Sequence, residues 1–204
     1  MAEVLERAGC QVEFREAQTC CGQPAFNSGF VDEARSVEEH FLSVFSDAEL
    51  IVVPSGSCAS MIAHHYKDPD PRVWEFSQFL VNFLKMDDFG ARLDRVVTYH
   101  DSCHALREMR IKDAPRQLMR NVKGLELVEM DAAEECCGFG GTFSVKFPEI
   151  SGAMARTKID SIVRTGADTI VSVDSSCLMQ LQGALDRVGS KIRTMHLAEV
   201  LAST

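Results

Sequence analysis

The sequence predicts an α/β fold of two tandem, similar units, each a parallel sheet covered by helices, related by approximate two-fold pseudo-symmetry. Three observations lead to it: a repeated Cys-Cys-Gly motif, the same order of helix and strand signals around each copy, and short hydrophobic runs alternating with helical segments. Thr19-Cys20-Cys21-Gly22 recurs as Glu135-Cys136-Cys137-Gly138. Before the first copy, Val4 to Ala8 reads as a helix stopped by Gly9, and Cys10 to Phe14 alternates like a strand. Leu118 to Lys123, Gly124 and Leu125 to Met130 repeat that order before the second copy. Helices follow over roughly 30–46 and 149–165. Then come strands at Glu49 to Val53 and Asp168 to Val173, each leading to a lone cysteine, Cys58 and Cys177. Val73 to Leu80 matches Thr194 to Leu201, and the spacing between matched landmarks changes by only a few residues along the chain. The second unit opens on Arg95 to Tyr99, a strand feeding Cys103 at a helix start. Its counterpart in the first unit would precede Met1, so the first unit is expected to be truncated at its N-terminus by one strand and one cysteine. The polar stretch Met86 to Arg92 marks the boundary, giving units 1–88 and 89–204.

Thirty acidic against twenty-one basic residues leave a net charge of −9, which argues against nucleic acid or an anionic membrane as partner. No run approaches the roughly 18 apolar residues of a transmembrane segment. The start, with Glu3 and Glu6, reads as an amphipathic helix rather than a signal peptide. A cytoplasmic location is expected. In a reducing compartment eight cysteines point to metal ligands or catalytic thiols rather than a disulfide framework. No Gly-x-Gly-x-x-Gly lies between a strand and a helix, so a flavin or nicotinamide of the chain's own is not expected.

In the second unit Cys103, Cys136, Cys137 and Cys177 all fall where strands end, the position at which open α/β sheets bind ligands. Four such thiols suit either a thiolate zinc site or a cubane iron–sulfur cluster. The glycines beside the pair, Gly138, Gly140 and Gly141, let a loop turn closely around a bulky group and offer N–H groups to its sulfurs. Packing alone is a poor account of four cysteines at matched positions. The first unit carries Cys20, Cys21 and Cys58, whereas Cys10 aligns with Leu125 and reads as packing. His100 and His104 flank Cys103; either is an ordinary residue near a helix start, a hydrogen-bond partner of a thiolate, a proton carrier or an extra ligand. His64 and His65 read as helix surface, His196 aligns with Glu75 and so does not read as a ligand, and Asp101 and Asp174 read as loop caps.

The stretch Glu16-Ala17-Gln18-Thr19-Cys20-Cys21-Gly22-Gln23-Pro24, with His100-Asp101-Ser102-Cys103-His104 and Glu135-Cys136-Cys137-Gly138-Phe139-Gly140-Gly141, resembles the cysteine-rich (CCG) domain family over essentially the whole chain. That family includes the cysteine-rich component of heterodisulfide reductase, the iron–sulfur subunits of glycolate oxidase and anaerobic glycerol-3-phosphate dehydrogenase, and, closest in wording, the lactate-utilisation branch. The resemblance implies an iron–sulfur electron-transfer subunit, holding a [4Fe-4S] cluster, in L-lactate oxidation to pyruvate beside lactate-utilisation proteins B and C. Ser55-Gly56-Ser57-Cys58 and Asp174-Ser175-Ser176-Cys177 replace the Cys-x-x-Cys of the heterodisulfide reductase type, so its five-cysteine cluster does not carry over. Two other functions remain open: a zinc-stabilised, redox-silent scaffold, and a thiol–disulfide reductase using Cys136-Cys137, which the missing Cys-x-x-Cys disfavours.

Overall fold

Short β-branched runs become strands here wherever a neighbour stands ready to pair with them. The structure, a computed structural model, describes residues 1–204. Strands Ile51–Val53 (β1) and Val73–Glu75 (β2) form a two-stranded parallel sheet. Strands Arg92–Tyr99 (β3), Lys123–Leu127 (β4), Thr169–Ser172 (β5) and Arg193–His196 (β6) form a second, all-parallel sheet in the order β4-β3-β5-β6. Parallel neighbours need crossover connections, and helices such as Asp113–Arg120, Pro148–Arg164 and Ser175–Arg187 supply them. β5 is buried along its whole length, as expected of a central strand covered on both faces.

One expected strand is absent. Residues 10–14 are irregular, and Phe14 is exposed. Their counterpart β4 pairs only with β3, and no strand occupies the place of β3 beside residues 10–14. Alternation marks an apolar face, but a ladder needs a partner for its N–H and C=O groups.

The largest core packs Val97, Tyr99, Val171 and Val173 with Leu118 and Leu197, and also with Val4, Leu5, Phe76 and Leu80, so residues from both sides of 86–92 share it. Two smaller clusters underlie the cysteines. Ile159, Ile162, Ile170, Leu181 and Leu185 pack on Cys137 and Cys177, and Met61, Ile62 and Tyr66 pack on Cys21. The helices Gly56–Ser60 and Cys103–Arg107 touch so closely that a Cβ on Gly56 would stand 2.5 Å from that of Ala105. Any side chain at Gly56 would therefore push the Cys58 and Cys103 helices apart.

Glu75 and His196, aligned in the sequence, do the same structural work: each accepts from the first backbone N–H groups of the helix that follows it. Glu75 is fully buried, and desolvation pushes its carboxyl up to about 7 against hydrogen bonds from Ser77 and Gln78 that favour the charged form. A carboxyl raised in the folded state binds its proton more tightly there than in the unfolded chain. Stability is therefore expected to fall as pH rises from about 4.5 towards 7 and to level off above. Glu75→Gln keeps an acceptor for the cap, so it is expected to abolish that slope and to stabilise the protein at pH 8 by up to about 3 kcal/mol. Urea unfolding of both proteins at pH 5 and pH 8 measures it; equal stabilities at pH 8 would refute the assignment.

Candidate metal centre

All eight cysteines are free thiols. Four of them are delivered to one place by the topology of the second sheet. Cys103 opens the helix after β3, Cys136 and Cys137 lie in the loop after β4, and Cys177 sits in the first turn of the helix after β5. Because the strands are parallel, all these connections leave from the same sheet edge. Cys136 interacts with both Cys103 and Cys137, and Cys137 interacts with Cys177. Contact with Cys103 and Cys137 holds the Cys136 thiol well below the usual thiol range, helped by the Gly138 N–H, 3.4 Å from its sulfur. The same contacts, with burial, push Cys103 and Cys137 above that range. Cys137 and Cys177 are buried, whereas Cys103 and Cys136 are half-buried on the outer side.

The loop that presents the pair depends on Gly138. Its φ is +86°, and a Cβ there would meet the Ser151 carbonyl at 2.7 Å. Ser151 Oγ in turn donates to the Gly138 carbonyl at 2.8 Å, and Gln180 Nε2 donates to Ser151 Oγ at 3.0 Å. Two helices thus clamp the turn.

His100 is completely buried, and neither ring nitrogen has a hydrogen-bond partner. The Ala133 carbonyl is close enough to favour the charged ring slightly, but it makes no well-formed hydrogen bond to either nitrogen and already accepts from the Asp101 N–H and from Lys158 Nζ, each 3.1 Å away. One ring nitrogen of His100 and the Sγ atoms of Cys137 and Cys177 lie within 4.8 Å of one another. Burial, with the Lys158 charge nearby, pushes the imidazole down to about 3, so the ring is neutral at ordinary pH. A buried polar group left unpaired costs about 1–3 kcal/mol. An orphaned neutral imidazole beside soft thiol donors therefore fits a metal centre better than it fits a packed core.

In the first half Cys21 Sγ and Cys58 Sγ stand 3.2 Å apart, and Cys20 is exposed. Cys21 donates to Cys58, whose thiol is brought down to about 7, and the Tyr66 hydroxyl donates to the Cys21 carbonyl at 3.1 Å. Cys10 is half-buried against the main core.

A family model described as a cysteine-rich domain, CCG, matches residues 1–63 and 97–182. The chain belongs to the CCG cysteine-rich domain family. This CCG protein is 48% identical to Lactate utilization protein A of Bacillus cytotoxicus over 215 residues, 98% of this chain and 90% of that protein. Its identity to the proteins of the same name from Bacillus cereus and Bacillus thuringiensis is 47% and 48%, with the same coverage.

Other polar residues of this CCG chain are committed elsewhere. Asp174, at the start of its helix, accepts from Ser57 N and Ser102 Oγ, tying the connections that carry Cys58 and Cys103 to its own. Asp101 is ion-paired with Arg116. His65 meets Glu108 at 3.2 Å, and His104 Nδ1 lies 3.6 Å from Cys103 Sγ. Sequence reasoning missed Lys158, which is buried, brought down to about 8 by desolvation, and bonded to the carbonyls of Ala132 and Ala133 just before the cysteine pair. Its signal was present: on the helix Pro148–Arg164 it falls on the same face as Ser151, Ala155 and Ile162. Arg116 carried no such signal.

Proposed function

We propose that this chain is an iron–sulfur electron-transfer subunit of a cytoplasmic lactate-oxidising system, working beside lactate-utilisation proteins B and C. On this reading residues 1–88 and 89–204 are two CCG repeats related by approximate two-fold symmetry. Cys103, Cys136, Cys137 and Cys177 hold the main centre, a [4Fe-4S] cluster, and Cys20, Cys21 and Cys58 form a lesser counterpart. The observation that carries the reading is the meeting of four thiols from three separate connections beside an imidazole with no other partner. The names of the relatives supply the substrate, and no helix of the chain is long and apolar enough to cross a membrane.

A bound cluster would supply one-electron transfer. The chain's own residues set the conditions for it. Buried Cys137 and Cys177, over Ile159, Ile162 and Leu181, keep water from the inner side. The Gly138 N–H, directed at Cys136 Sγ, stabilises negative charge on that sulfur. Lys158 adds a positive charge beneath the loop. Cys103 and Cys136 reach the outer side, where a docked partner can exchange electrons over a short distance.

Anaerobic loading of the purified chain with ferrous iron and sulfide tests the proposal. Bound iron and sulfide, with visible absorption bleached by a reductant, are expected, together with no lactate oxidation by the chain alone. A colourless chain that retains only zinc would favour the scaffold reading, because zinc is redox-silent.

A further inference from the structure

We propose that His100 is a nitrogen ligand of the metal centre, so that the inner side of the site is built from one imidazole and the thiolates of Cys137 and Cys177. The proposal rests on the reading above that the cysteine cluster binds a metal centre, and it adds a donor of a different kind.

The contrast with the other histidines carries the argument. His40 Nε2 meets the Ala17 carbonyl, His65 meets Glu108, and both ring nitrogens of His196 are engaged, by Pro54 and by the Ala198 N–H. His100, the most deeply buried of these, has no partner at either nitrogen. It directly follows β3 with Asp101, whose carboxylate is locked by Arg116, so the backbone that places the ring is held firmly. The Ser172 hydroxyl also donates to the His100 carbonyl at 3.0 Å. The two buried sulfurs lie within 4.8 Å of the ring nitrogen and of each other, a spacing that one metal ion can bridge.

A consequence follows for the outer thiols. Four cysteines and one histidine make five donors for the four iron corners of a cubane cluster. If His100, Cys137 and Cys177 fill three positions, Cys103 and Cys136, half-buried on the outer side, would be left to share the fourth. Replacing a thiolate by an imidazole raises the potential of an iron–sulfur centre. His100→Cys is therefore expected to lower the midpoint potential.

The test uses the full chain labelled with 15N-histidine, loaded anaerobically with ferrous iron and sulfide, reduced, and measured by pulsed electron paramagnetic resonance. A strongly coupled nitrogen is expected, lost in His100→Gln and kept in His104→Gln. Cys137→Ser is expected to lower bound iron by about tenfold or more. If His100→Gln does not fold, the labelled parent chain and His104→Gln still decide between the two histidines near the site. A loaded centre without a coupled nitrogen, or a coupling that survives His100→Gln, overturns the proposal. Iron and sulfide analysis reports separately on the function: a chain that refuses the cluster but takes cobalt(II), with the same nitrogen coupling, would refute the electron-transfer reading and uphold the His100 ligand. Binding neither metal overturns both.

Discussion

Cys137→Ser is expected to abolish metal loading, whereas Cys10→Ala leaves it nearly unchanged. Cys137 is 2% exposed, touches both Cys136 and Cys177, and belongs to the apolar cluster beneath the site. Serine offers a harder, weaker ligand for iron or zinc and places a hydroxyl among apolar neighbours, so binding and packing suffer together. Cys10 only lies against the edge of the main core, in a segment that forms no strand. Truncating it removes one sulfur from a half-buried surface, a change of about 1 kcal/mol or less. Iron and sulfide per chain and the visible spectrum of both variants measure the contrast. Equal losses would mean that ligand and packing cysteines have been confused.

Arg116→Met is expected to cost the fold about 3–5 kcal/mol, because it strands a buried carboxylate. Arg116 Nη1 and Nη2 donate to the two oxygens of Asp101 at 2.8 and 2.9 Å, while Nε and Nη2 donate to Glu129 at 2.6 and 2.9 Å. The guanidinium also lies 4.9 Å from the centre of the Tyr99 ring. Asp101 is 1% exposed, so it has no water to replace the lost partner. Adding Asp101→Asn removes the stranded charge, and the double variant is expected to recover much of the loss. Urea unfolding of the four proteins of this cycle measures the coupling. Because Asp101 stands between His100 and Ser102-Cys103, the single variant is also expected to bind metal more weakly. A loss below about 1 kcal/mol would show that the pair is solvated in solution rather than buried.

By itself, the sequence determined the parallel α/β class and the placing of cysteines just beyond strand ends. Short runs such as Ile170-Val171 and Val96-Val97, alternating with amphipathic segments such as 148–164, encode local conformation and the face each element buries. The doubled Cys-Cys-Gly motif with its glycine turn was likewise written locally, in the φ that only glycine adopts freely. The tertiary structure decided what depends on neighbours distant in the chain. Residues 10–14 have a strand's alternation but no strand beside them, so they form none. His100 reads in sequence as one of several loop histidines; only the fold encloses it, removes every hydrogen-bond partner, and turns it toward Cys137 and Cys177. Arg116 looks like a surface cation until Asp101 closes over it, and Lys158, although on the buried face of its helix, meets its partners, the Ala132 and Ala133 carbonyls, only in the fold. Periodicity specifies which side of an element is apolar, whereas the pairing of polar groups across elements exists only once the sheet order brings those elements together.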